Sequence, residues 1–175
     1  MKGIILYSSK TGNTKKMAEV IFESLKDLTN ISISDIKDIK SVEKLKEFDF
    51  ILLGAWINRA NLEIQAIKFL KKIDNINIGL FATLGAEVDS EHGKKVIENL
   101  KKLLENKNSL GQYICQGLVD PKMIEKLNGF MGLAMPKKLK NKMIETSKKS
   151  RRATEEELKM AGEYFREKIK NIEIN

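Results

Sequence analysis

Residues 7–14 read YSSKTGNT and follow directly on the apolar run Gly3–Leu6. A plain connection after a buried strand needs only one or two turn formers. Here seven polar or glycine residues stand in a row from Ser8 to Thr14, and so many donors at one turn point to a ligand rich in oxygen. The stretch then enters Thr14–Leu28, where Met17, Ala18, Ile21, Phe22 and Leu25 recur at helical spacing. The first N–H groups of a helix have no partner within it, and the helix dipole favours negative charge there. Gly12 lets the backbone approach a ligand closely. Ser9, Thr11 and Thr14 each offer a hydroxyl, Asn13 sits among them, and Lys10 either adds its charge or points to solvent. A phosphate fits this set.

Outward from that loop, strand and helix alternate. Gly3–Tyr7 and Asp49–Ala55 read as strands buried on both faces. Ile31–Ile36 alternates apolar and polar, the pattern of a half-buried strand near a sheet edge. Ile76–Thr83 and Gln112–Gly117 complete a set of five. Leu62–Ile73, Ser90–Leu104 and Thr154–Ile169 read as helices, the last opened by a capping box of Thr154 and Glu157, and residues 41–47 as a short polar helix or turn. Such alternation predicts an α/β fold with a parallel sheet and right-handed crossovers, as one domain over residues 1–175. Residues 118–153 break the pattern and read as an insert with two short helices, near 121–131 and 137–150. Met123, Met131, Met135 and Met143 fall inside it, which suits a mobile cover, a contact surface or extra core.

The composition, 42% hydrophobic and 32% charged over 175 residues, is that of a globular protein and excludes a disordered chain. The net charge of +8 is concentrated: residues 137–152 carry eight Lys or Arg against Glu145 alone. That patch is either a solvated helix face or a docking surface for an acidic partner, an acidic ligand or a membrane surface. The single cysteine, Cys115, excludes an internal disulfide and suits a reducing cytosol. No apolar run approaches the ~20 residues of a membrane span. The first strand begins directly after Met1, leaving no room for a signal peptide. A cytoplasmic location and no nucleic-acid partner are expected.

Several phosphate-binding classes are excluded. The pattern G-x-x-x-x-G-K-[ST] is absent, and no G-x-G-x-x-G follows the first strand. A phospho-receiver needs acidic residues after strand one and an acceptor Asp ending strand three; Ser8-Ser9 and Ala55-Trp56 stand there instead. Nothing resembles a serine-nucleophile elbow or a zinc site, and His92 is expected exposed in a first helical turn.

Ser9-x-Thr11-Gly12-Asn13-Thr14, set between first strand and first helix, resembles the FMN phosphate loop of the flavodoxins, T/S-x-T-G-x-T. The resemblance implies a flavodoxin-like doubly wound sheet of order 2-1-3-4-5, with FMN at the switch point between strands one and three. It implies that the flavin ring lies between Trp56, Ile57, Asn58, Arg59 and Ala60 on one side and Leu84, Gly85, Ala86 and Glu87 on the other. Trp56, the only tryptophan, stands where a flavodoxin places an aromatic over the isoalloxazine. Asn58 is expected to take the left-handed geometry that this residue type tolerates. The chain departs from the family in its basic charge, in Arg59, and in lacking an aromatic among residues 84–90. The stretches Leu53–Trp56, Thr83–Ala86, Asp89–His92 and Cys115–Gly117 resemble a bacterial flavodoxin-like group of which some members accompany bilirubin reductase. The implied function is electron transfer by bound FMN to or from a partner oxidoreductase, docked at the basic insert 137–152. Two other readings stay open. One is a small flavin oxidoreductase acting on a tetrapyrrole or quinone, as in the quinone-linked protoporphyrinogen oxidase group. The other is a non-redox partner subunit that keeps the fold.

Overall fold

The apolar run after Met1 becomes the buried interior of β1 (Lys2–Ser8), and β3 (Phe50–Asn58) beside it is buried from Phe50 to Ala55. The computed structural model describes residues 1–74 and 76–172; the side chains of Phe130 and of Met131, one of the four insert methionines, lie outside the described set. β2 (Asn30–Asp35) alternates partly buried and exposed residues and lies at the sheet edge, as its pattern predicts. β5 (Asn77–Leu84) and β6 (Asn108–Gln116) complete a parallel sheet of order β2-β1-β3-β5-β6. The remaining strand, β4 (Asn61–Leu62), pairs antiparallel with the end of β3 alone. With β4 set aside, the order is the expected 2-1-3-4-5.

Successive strand residues face opposite layers. Ile5, Leu52 and Phe81 pack under α1 (Asn13–Leu25) and α7 (Glu155–Ile172), meeting Met17, Ile21, Phe165 and Ile169. Leu6, Leu53 and Leu80 pack on the other face against Ala66 and Leu70 of α2 (Ile64–Leu70) and Val96 and Leu100 of α3 (Glu91–Leu104). Phe81 lies over Gly54 of the neighbouring strand, where a Cβ would come within 2.0 Å of its ring. The missing side chain at Gly54 is therefore filled by an aromatic from β5.

The element limits differ from the sequence reading where a local hydrogen bond overrides periodicity. Leu62 is drawn into β4, and the buried Glu63 carboxylate accepts from the backbone N–H of Gln65 (2.9 Å) and Ala66 (3.1 Å), so α2 begins at Ile64 rather than Leu62. β6 begins at Asn108, four residues ahead of the expected Gln112, because Leu110 and Gly111 bulge opposite Gly79 and the strand resumes. Gly111 has φ 83°, which a glycine adopts freely; read alone, it looks like a strand limit.

The insert between β6 and α7 holds α4 (Pro121–Asn128), α5 (Phe130–Leu133) and α6 (Lys137–Lys149). Gly129, extended at φ −92° and ψ −155°, divides the helix expected over 121–131. The predicted capping box opens α7: Thr154 N–H donates to Glu157 Oε2 (2.7 Å), and Glu157 N–H donates to Thr154 Oγ1 (3.1 Å). Among the described residues no helix is long and apolar enough to cross a membrane.

Candidate functional site

The loops after β1, β3, β5 and β6 leave the sheet along one edge. Ser8 pairs with Ala55, Trp56 with Thr83 and Leu84 with Gln116, so the roots of all four loops lie side by side. The strand order reverses between β1 and β3, so the chain departs to opposite faces there and a crevice opens at the sheet edge.

The β1 loop gathers donors, several of which keep hydrogen-bonding capacity to spare. Gly12 sits at the start of α1 with φ 86°, no side chain caps the helix, and no atom lies within 4 Å of where a Cβ would be. The first amides of α1 therefore have no side-chain acceptor capping them. Ser9 Oγ is buried without a hydrogen-bond partner among the described residues. Buried hydroxyls are nearly always paired, so this one awaits a ligand or a water. Thr11 Oγ1 accepts from Asn13 Nδ2 (2.8 Å), which leaves its own proton free to donate. Thr14 Oγ1 lies 2.9 Å from Thr83 Oγ1, and only one of the two protons is used between them. Lys10 Nζ lies 3.0 Å from Asp120 Oδ2 and 5.7 Å from the centre of the Trp56 ring. This arrangement can hold an oxyanion: free amides, hydroxyl donors and one cation meet at a helix N-terminus.

Trp56 is half-buried at the end of β3, and its carbonyl accepts from Glu63 N–H (3.1 Å). Ile57 pairs with Leu62 and Asn58 with Asn61. The expectation for Asn58 is corrected here. It belongs to the ribbon, and the left-handed positions are Arg59 (φ 49°) and Ala60 (φ 62°). A two-residue turn with both central residues at positive φ suits the twist of the ribbon. Asn99 Nδ2 donates to the Ala60 carbonyl (2.7 Å) and pins the turn to α3.

In the β5 loop, Leu84 is buried, Gly85 and Ala86 are half-buried, and Glu87 is exposed. A Cβ on Gly85 would come within 2.5 Å of Val119, so the β6 loop packs closely over this glycine. Ser90 Oγ donates to the Glu87 carbonyl (2.6 Å) and accepts from Gly93 N–H (3.1 Å), which fixes the passage into α3. His92 is exposed in the first turn of α3, as expected. Partial desolvation, and then the charges of Lys142 and Lys95, hold its imidazole below the usual value. Cys115 is 2% exposed and burial pushes its thiol up to about 12, so it behaves as a small core residue.

Several of the expected residues therefore meet. Lys10 reaches Trp56, the Ser9–Thr14 donors share one loop, and the Leu84–Glu87 segment is rooted beside them. The Arg59–Ala60 turn instead folds back along β3. An open cleft of about 530 Å³, lined by Glu87, Asp89, Lys94, Ile97, Arg151 and Glu157 among others, lies on the β6 side and touches the expected set only at Glu87. Thr83, Asn99 and the segment Gly117–Asp120 are not legible as site residues from sequence. Thr83 alone left a signal, a hydroxyl ending an otherwise apolar strand. Asn13 Nδ2 donates to the Leu118 carbonyl (3.0 Å), a contact across 105 residues that no local pattern announces.

A model of the Flavodoxin domain family matches residues 4–165. The chain is 35% identical over 127 residues to a flavodoxin-like domain-containing protein, BilS, of Clostridioides difficile, covering 68% of each chain. It is 26% identical over 144 residues to a BilS protein of Clostridium symbiosum, covering 75% of this chain and 76% of that one. Among solved structures, oxidised Flavodoxin 2 from Bacillus cereus superposes with a TM-score of 0.62 over 98% of this chain and 99% of that one, at 15% identity, a likeness of fold.

The turn at Arg59 yields a stability test. A bulky residue in left-handed geometry costs roughly 1–2 kcal/mol, and asparagine recovers part of that. Arg59→Asn is expected to raise stability by about 0.5–1 kcal/mol in urea unfolding, with an unchanged m-value.

Proposed function

The chain belongs to the flavodoxin family, and on that premise we propose that Ser9–Thr14 hold the phosphate of its FMN while electrons pass between the flavin and a partner oxidoreductase. The observation that carries the reading is the buried Ser9 hydroxyl, unpaired among the described residues, beside the uncapped start of α1. Thr11 adds a free hydroxyl proton, and Gly12 keeps side-chain bulk out of the cradle. In this reading Trp56 covers one side of the flavin ring and Leu84–Glu87 the other; the Lys10 ammonium, 5.7 Å from the centre of the Trp56 ring, supports it. Bound FMN supplies the electron transfer, and the protein supplies binding, orientation and local charge.

The partner reading rests on charge. The lysines of α6 are exposed or half-exposed, and no residue of α6 is buried. Such a face suits an acidic surface on the partner, drawn in by long-range attraction. The resemblance to a flavodoxin-like group of which some members accompany bilirubin reductase makes a tetrapyrrole reductase the first partner to try. A cytoplasmic location belongs to the same proposal.

Two measurements test it. FMN should bind at least about a hundredfold more tightly than riboflavin, since charge-assisted hydrogen bonds contribute roughly 1.5–3 kcal/mol each. Ser9→Ala with Thr11→Ala should close most of that gap; Thr14 is left alone because its hydroxyl also serves Thr83. Equal affinity of the unaltered protein for the two flavins would contradict the phosphate assignment. For docking, Lys137, Lys138, Lys140 and Lys142 changed together to Gln should slow electron transfer to the reductase and flatten its salt dependence. An unchanged rate and salt slope would make α6 a solvated face.

A further inference from the structure

The start of the insert is tied to the phosphate loop at two points. Asn13 Nδ2 donates to the Leu118 carbonyl (3.0 Å), and Lys10 Nζ pairs with Asp120 Oδ2 (3.0 Å). Asp120 is also fixed from its other side, because its Oδ1 accepts from Lys122 N–H (3.0 Å) and caps α4. The two members of the ion pair differ in freedom. The Asp120 side chain is 15% exposed and the Lys10 side chain 53%, so the lysine can swing and the carboxylate cannot. The helices of the insert add few core contacts, since in α4 only Leu127 is buried and in α6 nothing is; its other ties are Val119 N–H donating to Ser150 Oγ (3.1 Å) and Gln116 Nε2 donating to the Lys149 carbonyl (3.2 Å).

An anion in the Ser9–Thr14 loop would stand within the same lysine's reach. We propose that Asp120 competes with the cofactor phosphate for Lys10, so that Asp120 lowers the protein's preference for phosphorylated flavin and cofactor occupancy loosens the start of the insert. The inference rests on the phosphate reading of the loop. Two negative groups share one cation there, and a second oxyanion near Asp120 adds repulsion between like charges. Binding effects are reciprocal: whatever the phosphate costs the Lys10–Asp120 pair, the pair costs the phosphate. The basic docking face is carried by the same insert, so a loaded protein presents α6 on a looser hinge than an empty one.

Asp120→Asn tests the competition, since asparagine caps a helix as well as aspartate does and α4 keeps its start. Affinities for FMN and riboflavin are measured at low salt for the unaltered protein, for this variant and for Asp120→Ser, a second neutral cap. FMN is expected to bind about two- to fivefold more tightly to both variants, the scale of a partly exposed pair. Riboflavin affinity should stay unchanged, and in a Lys10→Met background the gain should shrink to the part that direct repulsion alone supplies. Hydrogen exchange of the unaltered protein gives a readout that needs no variant. FMN, but not riboflavin, should speed exchange of the amides of residues 122–128. If the unaltered protein does not prefer FMN, the phosphate reading itself fails. If that preference holds but the neutral variants bind FMN no better, or FMN slows exchange in α4, the competition is overturned and Lys10 serves both groups at once.

Discussion

An α-helix that starts directly behind a buried parallel strand leaves its first amides unpaired at a fixed place, and the site depends on that constraint. β1 cannot move, because Ile4–Leu6 are packed between two helical layers and hydrogen-bonded to β2 and β3 on either side. α1 is equally fixed, with Met17, Ile21 and Leu25 fully buried. The four residues between them therefore have little freedom. Gly12 makes the turn in left-handed geometry, and the helix opens without a side-chain cap. Filling that position with a capping residue would have made a better helix and a worse anion site.

The remaining loops are positioned by the same sheet. Register places Trp56 beside Thr83, and Thr83 beside Cys115, so side chains distant in sequence end at one edge. The Thr14–Thr83 contact joins the helix start to β5 from inside, and the β6 loop closes over Gly85 from outside. The insert departs from the last of these loops. Its first residues are held to the phosphate loop by two short ties, one of them an ion pair.

Much of this was legible in the residues. Buried strands show as unbroken apolar runs, so β1, β3 and β5 were readable, and alternation marked β2 as an edge. The donor-rich loop declared itself because polar residues cluster where a plain turn needs few. What sequence concealed was set by contacts between distant segments or by single hydrogen bonds. Glu63 moved a helix start by capping it from a buried position. Gly111 continued a strand through a bulge. The left-handed geometry fell on Arg59 and Ala60 because ribbon pairing consumed Asn58, and the Asn99 side chain that holds the turn lies 39 residues away. The tie between Asp120 and Lys10 exists only in the fold.

Backbone amide NMR tests the central claim most directly. On titration with FMN, the largest amide shifts should fall on residues 9–14, moving downfield as their N–H groups bond to phosphate oxygens. Inorganic phosphate should move the same amides more weakly. The account is contradicted if FMN binds and the amides of residues 9–14 stay in place while shifts gather elsewhere, for instance around the cleft between α3 and the start of α7.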